Sequence, residues 1–271
     1  MNEFFHIMTL PFLACLVLAG IHAYLGLHVI ERQVIFVDLA LAQIAALGAS
    51  LALVFGYGME SAHSYWMSLG FTIAGAAIFS LTRFKKQRIP QEAIIGITYA
   101  VSAALLILIL SRSGEGDEHI KQALVGNILL ITPGEVLKVF LIYSVIGLFH
   151  YFCRREFFLI SQNPEQAYKD GLNVRLWDFL FYASFGFVVT SSVKIAGVLL
   201  VFSFLVVPSA AAILFSNNAK TRLILGWTIG FLASVLGMAV SYFLDFPTGA
   251  SVVCVFGLIL VTLALAKKIL G

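Results

Sequence analysis

Apolar residues along this chain fall in long blocks rather than in strand-like alternation. The blocks cover approximately residues 8–30, 34–55, 64–81, 92–110, 134–152, 176–192, 195–215, 223–244 and 250–266. Most hold about 18 to 25 residues, the length a helix needs to cross about 30 Å of hydrocarbon. A soluble core helix of that length keeps a polar outer face, and these blocks have none. The pattern predicts an all-α, polytopic membrane helix bundle of eight or nine spans. The count turns on residues 176–215, where only Ser191 to Lys194 separate two blocks.

Composition agrees: 61% of the 271 residues are hydrophobic and 11% charged, against about a quarter charged in soluble domains. Charge then sets orientation through the positive-inside rule. With the Glu31–Arg32 turn in the cytoplasm, 13 of the 17 Lys and Arg residues fall inside. Only Arg112, Lys121, Lys138 and Lys194 fall outside. The N-terminus is therefore expected outside and the C-terminus in the cytoplasm. The first segment, from Met1 to His6, lacks a basic n-region, so the first block reads as a retained span rather than a cleaved signal.

The net charge of +3 sits in short connectors, not along one face, and does not point to nucleic acid. Cys15, Cys153 and Cys254 show no metal-type spacing and read as small apolar residues. No internal repeat or linker is visible, so residues 1–271 are expected to form a single transmembrane domain. Small residues at helical spacing, Ala42, Ala45, Ala46 and Ala49 or Gly226 and Gly230, suit close helix packing in lipid.

Two segments are not simple spans. In the cytoplasmic stretch 154–175, Asn163 is a good N-cap, Pro164 suits the first helical position, and Gln166 stands where a capping box closes. Glu165 complements the helix dipole and Gly171 supplies a left-handed C-terminal residue. These signals predict a two-turn helix of roughly 10 Å. It reads either as an ordinary loop helix or as a lever for a soluble partner. The second segment, 115–133, holds about twelve mostly apolar residues after Glu118 and His119. It is too short to span and predicts a re-entrant or interfacial helix at the outer mouth.

An ordered set of motifs then points to a family. Arg32-Gln-Val-Ile-Phe-Val-Asp38-Leu-Ala-Leu-Ala-Gln43 runs on to Gly48, and Gly126-Asn-Ile-Leu precedes Thr132-Pro133. The helix with Pro164, Glu165, Ala167 and Gly171 follows, then Lys194-Ile-Ala-Gly197, Pro208-Ser-Ala-Ala211 and Asp245-Phe-Pro247-Thr-Gly249. In this order the chain resembles the permeases of ATP-binding-cassette (ABC) importers for zinc, manganese and iron. The resemblance implies a homodimer in the cytoplasmic membrane, two cytoplasmic ABC ATPase subunits and an extracytoplasmic metal-binding protein. It also implies that Asn163, Pro164, Glu165, Ala167 and Gly171 form the helix that couples to the ATPase. Many family members carry His where this chain has Gln43, a harder ligand less suited to zinc.

The residues themselves agree with a non-enzymatic subunit. No GxxxxGK[ST] phosphate loop is present, so ATP belongs to a partner. One coupling-type helix per chain needs a second copy to serve two ATPases. No HExxH or nucleophile motif lies in a span.

The metal is cargo; no cofactor is expected to reside in this chain. Asp38 reads as a cation-path residue or as a helix-dipole partner. Gln43 reads as a pathway residue or as a bond to a neighbouring helix. Glu118 and His119 would attract a cation at the outer mouth or form an exposed turn. The rival reading is a secondary metal carrier driven by an ion gradient, for which Asp38 alone is a poor match.

Overall fold

The computed structural model describes residues 2–58, 61–83, 89–111 and 126–270. Ten α-helices are found among them: α1 Asn2–Glu31, α2 Val37–Val54, α3 Ala62–Leu81, α4 Gln91–Leu110, α5 Pro133–Phe152, α6 Arg154–Gln162, α7 Pro164–Lys169, α8 Val174–Phe215, α9 Ala219–Leu244 and α10 Thr248–Leu270. Eight of these are long and apolar enough to cross a membrane. The multi-span, all-helical expectation is met.

Helix α8 explains the uncertain count. Its 42 residues would extend about 63 Å at 1.5 Å each, enough for two passes. The interruption lies at Gly197 (φ 74°, ψ 161°), three residues beyond the expected Ser191–Lys194 gap. That backbone region is essentially open only to glycine. At Ser191 the helix runs on unbroken, the hydroxyl donating back to the Phe187 carbonyl at 2.6 Å.

Helix ends follow local chemistry. Thr132 and Glu135 bracket Pro133 in a reciprocal cap: the Thr132 N–H donates to the Glu135 carboxylate at 2.9 Å. The Glu135 N–H returns to the Thr132 hydroxyl at 3.3 Å. Asn218 accepts from the Lys220 and Thr221 N–H groups to open α9. Asp245 closes α9 in the left-handed region. Of the expected outer segment 115–133, residues 115–125 lie outside the described residues. The part that is described holds one 3₁₀ turn, Ile128–Leu130.

The chain divides into two compact units, each discontinuous in sequence. One comprises Met1–Ile30, Leu124–Gly147 and Ser192–Gly271. In it the anticipated Gly226 and Gly230 pair meets Ala23 and Ala19 of α1, and Phe204 packs edge-on to Phe256. His22 is buried there, with Nε2 at 3.3 Å from the Ser192 hydroxyl, which also bonds Tyr143.

The other unit comprises Glu31–Ala123 and Leu148–Ser191. Here α2 packs on α3 and α4. Gly48 brings α2 so close to α3 that a Cβ would lie 2.7 Å from the Met67 carbonyl oxygen. Ser68 answers by donating to the Ala45 carbonyl at 2.7 Å. Small residues allow this backbone approach where apolar burial cannot drive it.

Candidate functional site

The 154–175 stretch folds into more helix than its local signals predict. α6 precedes the anticipated α7 and buries Phe157, Ile160 and Ser161 on one face, the i, i+3, i+4 spacing of an amphipathic helix. Asn163 caps α7 as expected, its side-chain oxygen accepting from the Gln166 N–H at 3.0 Å. The capping box, however, closes on one side only. The Asn163 N–H is already engaged by the Leu159 carbonyl at 2.8 Å. Gln166 therefore reaches forward to Asp170 at 2.6 Å.

The other end of α7 is fully closed. Gly171 takes φ 77°, its N–H donates to the Tyr168 carbonyl at 3.3 Å, and the Leu172 N–H donates to the Ala167 carbonyl at 3.1 Å. Those two bonds make a Schellman motif with its accompanying apolar contact. Ala167 is fully buried with Ile160 and Val174, and Leu172 and Trp177 pack against them. Glu165, Gln166 and Lys169 remain exposed. The helix is thus a rigid, rooted element that presents a polar face.

On α2, Asp38 is buried at 2% exposure. Its Oδ1 has no hydrogen-bond partner among the described residues. Gln43 lies on a different, half-exposed stripe with Leu39, Ala46 and Ala49. Five residues along a helix turn about 140° past a full circle, so the two side chains are not brought together. Glu118 and His119 lie outside the described residues. No group of three or more His, Cys, Asp or Glu side chains suited to a metal occurs among the described residues.

One cluster escaped the sequence reading. Asp178, in the second turn of α8, is fully buried. It receives the Arg32 guanidinium at 2.5 Å, and one Arg83 nitrogen donates to both its oxygens at 2.8 Å. Arg32 also donates through Nε to the Ser161 hydroxyl at 2.9 Å and lies 4.0 Å over the Phe181 ring. Burial draws the Arg32 pKa below its ordinary value while Asp178 pulls it back. Guanidinium stays charged in proteins, so two cations share one carboxylate. His150, near the end of α5, is buried, stacked on Phe157 and bonded to Ser184 at 2.8 Å.

An all-helical chain with eight helices long and apolar enough to cross a membrane has the architecture of a multi-pass membrane protein. The chain belongs to the ABC 3 transport family, whose model matches residues 4–267. It is 28% identical over 203 residues to the manganese transport system membrane protein MntC of Listeria innocua, covering 71% of this chain and 70% of MntC. Over 269 residues it is 24% identical to the manganese import system permease protein ScaB of Streptococcus gordonii, covering 97% and 93%. Among solved structures, PsaBC from Streptococcus pneumoniae in complex with Fab shares the fold. Its TM-score is 0.79 at 22% identity, over 97% of this chain and 94% of the matched one.

Proposed function

We propose that this chain is the permease subunit of an ATP-driven importer of a divalent metal ion. It works as a homodimer, with two cytoplasmic ATPase subunits and an extracytoplasmic metal-binding protein. The observation that carries the reading is α7: doubly capped, rooted through Ala167, and polar on its outer face. Such an element transmits force from a soluble partner, and α7 is the coupling helix. The distribution of Lys and Arg favours α7 and the C-terminus on the cytoplasmic side, with the N-terminus outside.

The translocation path runs along α2. Gln43 supplies an amide oxygen from the half-exposed stripe, and Asp38 stands behind it as a buried carboxyl group. Glu118 and His119 draw the cation to the outer mouth. Weak ligands suit a path that must release its ion. The cargo is zinc, manganese or iron. The two named relatives carry manganese in their names, which makes manganese the first ion to test.

The decisive measurement is uptake into liposomes holding the permease, its ATPase and the binding protein. Vanadate should abolish manganese uptake and a protonophore should leave it intact. The opposite result would mark a gradient-driven carrier instead. Within this system, Glu165→Lys and Gly171→Val should abolish metal-stimulated ATP hydrolysis while the permease still folds. Glu165 is exposed, so reversing its charge alters docking rather than packing. A Cβ at Gly171 meets nothing within 4 Å, so Val there acts chiefly on the left-handed cap, at about 1–2 kcal/mol. Retained stimulation in both variants would remove α7 from the coupling role.

A further inference from the structure

We propose that Arg83 and Ser161 are positioning residues that, through Arg32 and Asp178, carry the movement of α7 into α2. This inference rests on the proposed ATP-driven function and assigns the internal linkage that such a function needs.

A rigid block lies at the root of α7. Ile160 of α6, Ala167 of α7 and Val174 of α8 are buried against one another, flanked by Leu159, Tyr168, Leu172 and Trp177. With both ends of α7 capped by hydrogen bonds, a displacement at its outer face moves this block as a unit. Two polar groups leave the block toward other elements. The Ser161 hydroxyl meets Arg32 Nε at 2.9 Å, and the Asp178 carboxylate meets Arg32 at 2.5 Å and Arg83 at 2.8 Å.

Their targets are the connectors that launch the spans. Arg32 stands one residue past α1 and five before the start of α2, in a tight turn where Gln33 takes φ 57° and the Val37 N–H returns to the Val34 carbonyl. Arg83 stands two residues past the end of α3. Ser80, in the last turn of α3, adds a further tie to the Arg175 carbonyl at 2.7 Å. Motion of the block therefore reaches α2 and α3 through charged, directional hydrogen bonds. An apolar contact would let the elements slide; charge-assisted bonds fix geometry.

Charge count separates this role from simple stabilisation. The Arg32–Asp178 pair is already neutral, and an apolar replacement of such a buried pair is often no less stable. Arg83 adds a second cation whose side chain is only 11% exposed. Stability alone does not require it. A linkage from the block to the α3 end does.

The test uses the permease reconstituted with its ATPase and binding protein, with manganese ion as the probe. Three quantities are read: ATP hydrolysis, manganese delivered per ATP, and melting temperature in detergent. Arg83→Met leaves the neutral Arg32–Asp178 pair, and Ser161→Ala removes the hydroxyl without touching charge. Both should lower manganese delivered per ATP by about five-fold or more while hydrolysis stays within about two-fold of the parent. Arg83→Lys, which restores the cation, should recover part of that ratio.

A proportional fall of hydrolysis and delivery would overturn the proposal, and so would an unchanged ratio in both variants. Should Arg83→Met not fold, Ser161→Ala decides alone. The unsubstituted complex guards the underlying function: manganese uptake that needs no ATP would overturn both readings. ATP-dependent uptake with unaltered variant ratios would overturn this one only.

Discussion

Asp178→Asn is expected to be the most damaging single polar substitution in the chain, at about 3–5 kcal/mol of stability. The carboxylate is fully buried and receives hydrogen bonds from two guanidiniums. Asn keeps the shape and removes the charge, so the fully buried Arg32 and the mostly buried Arg83 both lose their counterion. Replacing Asp170, which is exposed, should change stability by no more than about 0.5 kcal/mol. The readouts are the yield of monodisperse protein in detergent and its melting temperature. If charge balance is the cause, adding Arg83→Met to Asp178→Asn should recover part of the loss, because one stranded cation is removed. Purely additive effects in that double variant would show that the loss comes from packing instead.

That cluster also marks where sequence reasoning runs out. Asp178 stands 146 residues from Arg32 and 95 from Arg83. Nothing local marks it, because an acidic residue near the start of an apolar block reads as helix-dipole compensation. Arg32 and Arg83 likewise read as loop cations that obey the positive-inside rule. Both readings are sound locally and omit the tertiary partner. What was legible depends on short-range physics. Span lengths follow from bilayer thickness, and the ends of α7 follow from Asn163, Pro164 and Gly171, whose effects act within one turn. Gln166 shows the limit even there: its expected bond to the Asn163 N–H is pre-empted by the Leu159 carbonyl of α6, a helix whose apolar spacing passed unread in the polar stretch.

Asp38 and Gln43 teach a related lesson. Both looked like pathway residues because both are polar in one apolar block, yet the helical angle between them separates their surroundings. Asp38 is buried, while Gln43 shares its half-exposed stripe with Leu39, Ala46 and Ala49. A pathway along α2 is therefore expected to meet Gln43 directly, with Asp38 behind it on the buried face. Composition places the break in α8 three residues too early. Polarity at Ser191–Lys194 suggested a gap, but backbone freedom, supplied by Gly197, decides where a helix opens.

The opening at Gly197 underlies the second large expected effect. Gly126→Val should destabilise the protein by about 2–5 kcal/mol, from left-handed backbone strain together with overpacking. Gly126 takes φ 66°, and a Cβ there would run into the Ala196 carbonyl carbon and the Gly197 amide nitrogen. The obstacle is backbone at an already interrupted helix, so no side chain can rotate away. Gly56 provides the control, since it is also left-handed (φ 84°) but a Cβ would meet nothing within 4 Å. Gly56→Ala should cost only the conformational strain of about 1–2 kcal/mol. Gly126→Ala should cost clearly more, and the difference between the two melting-temperature shifts isolates the contact with the α8 break. Equal shifts would mean that residues 126 and 196–197 do not touch in the folded protein.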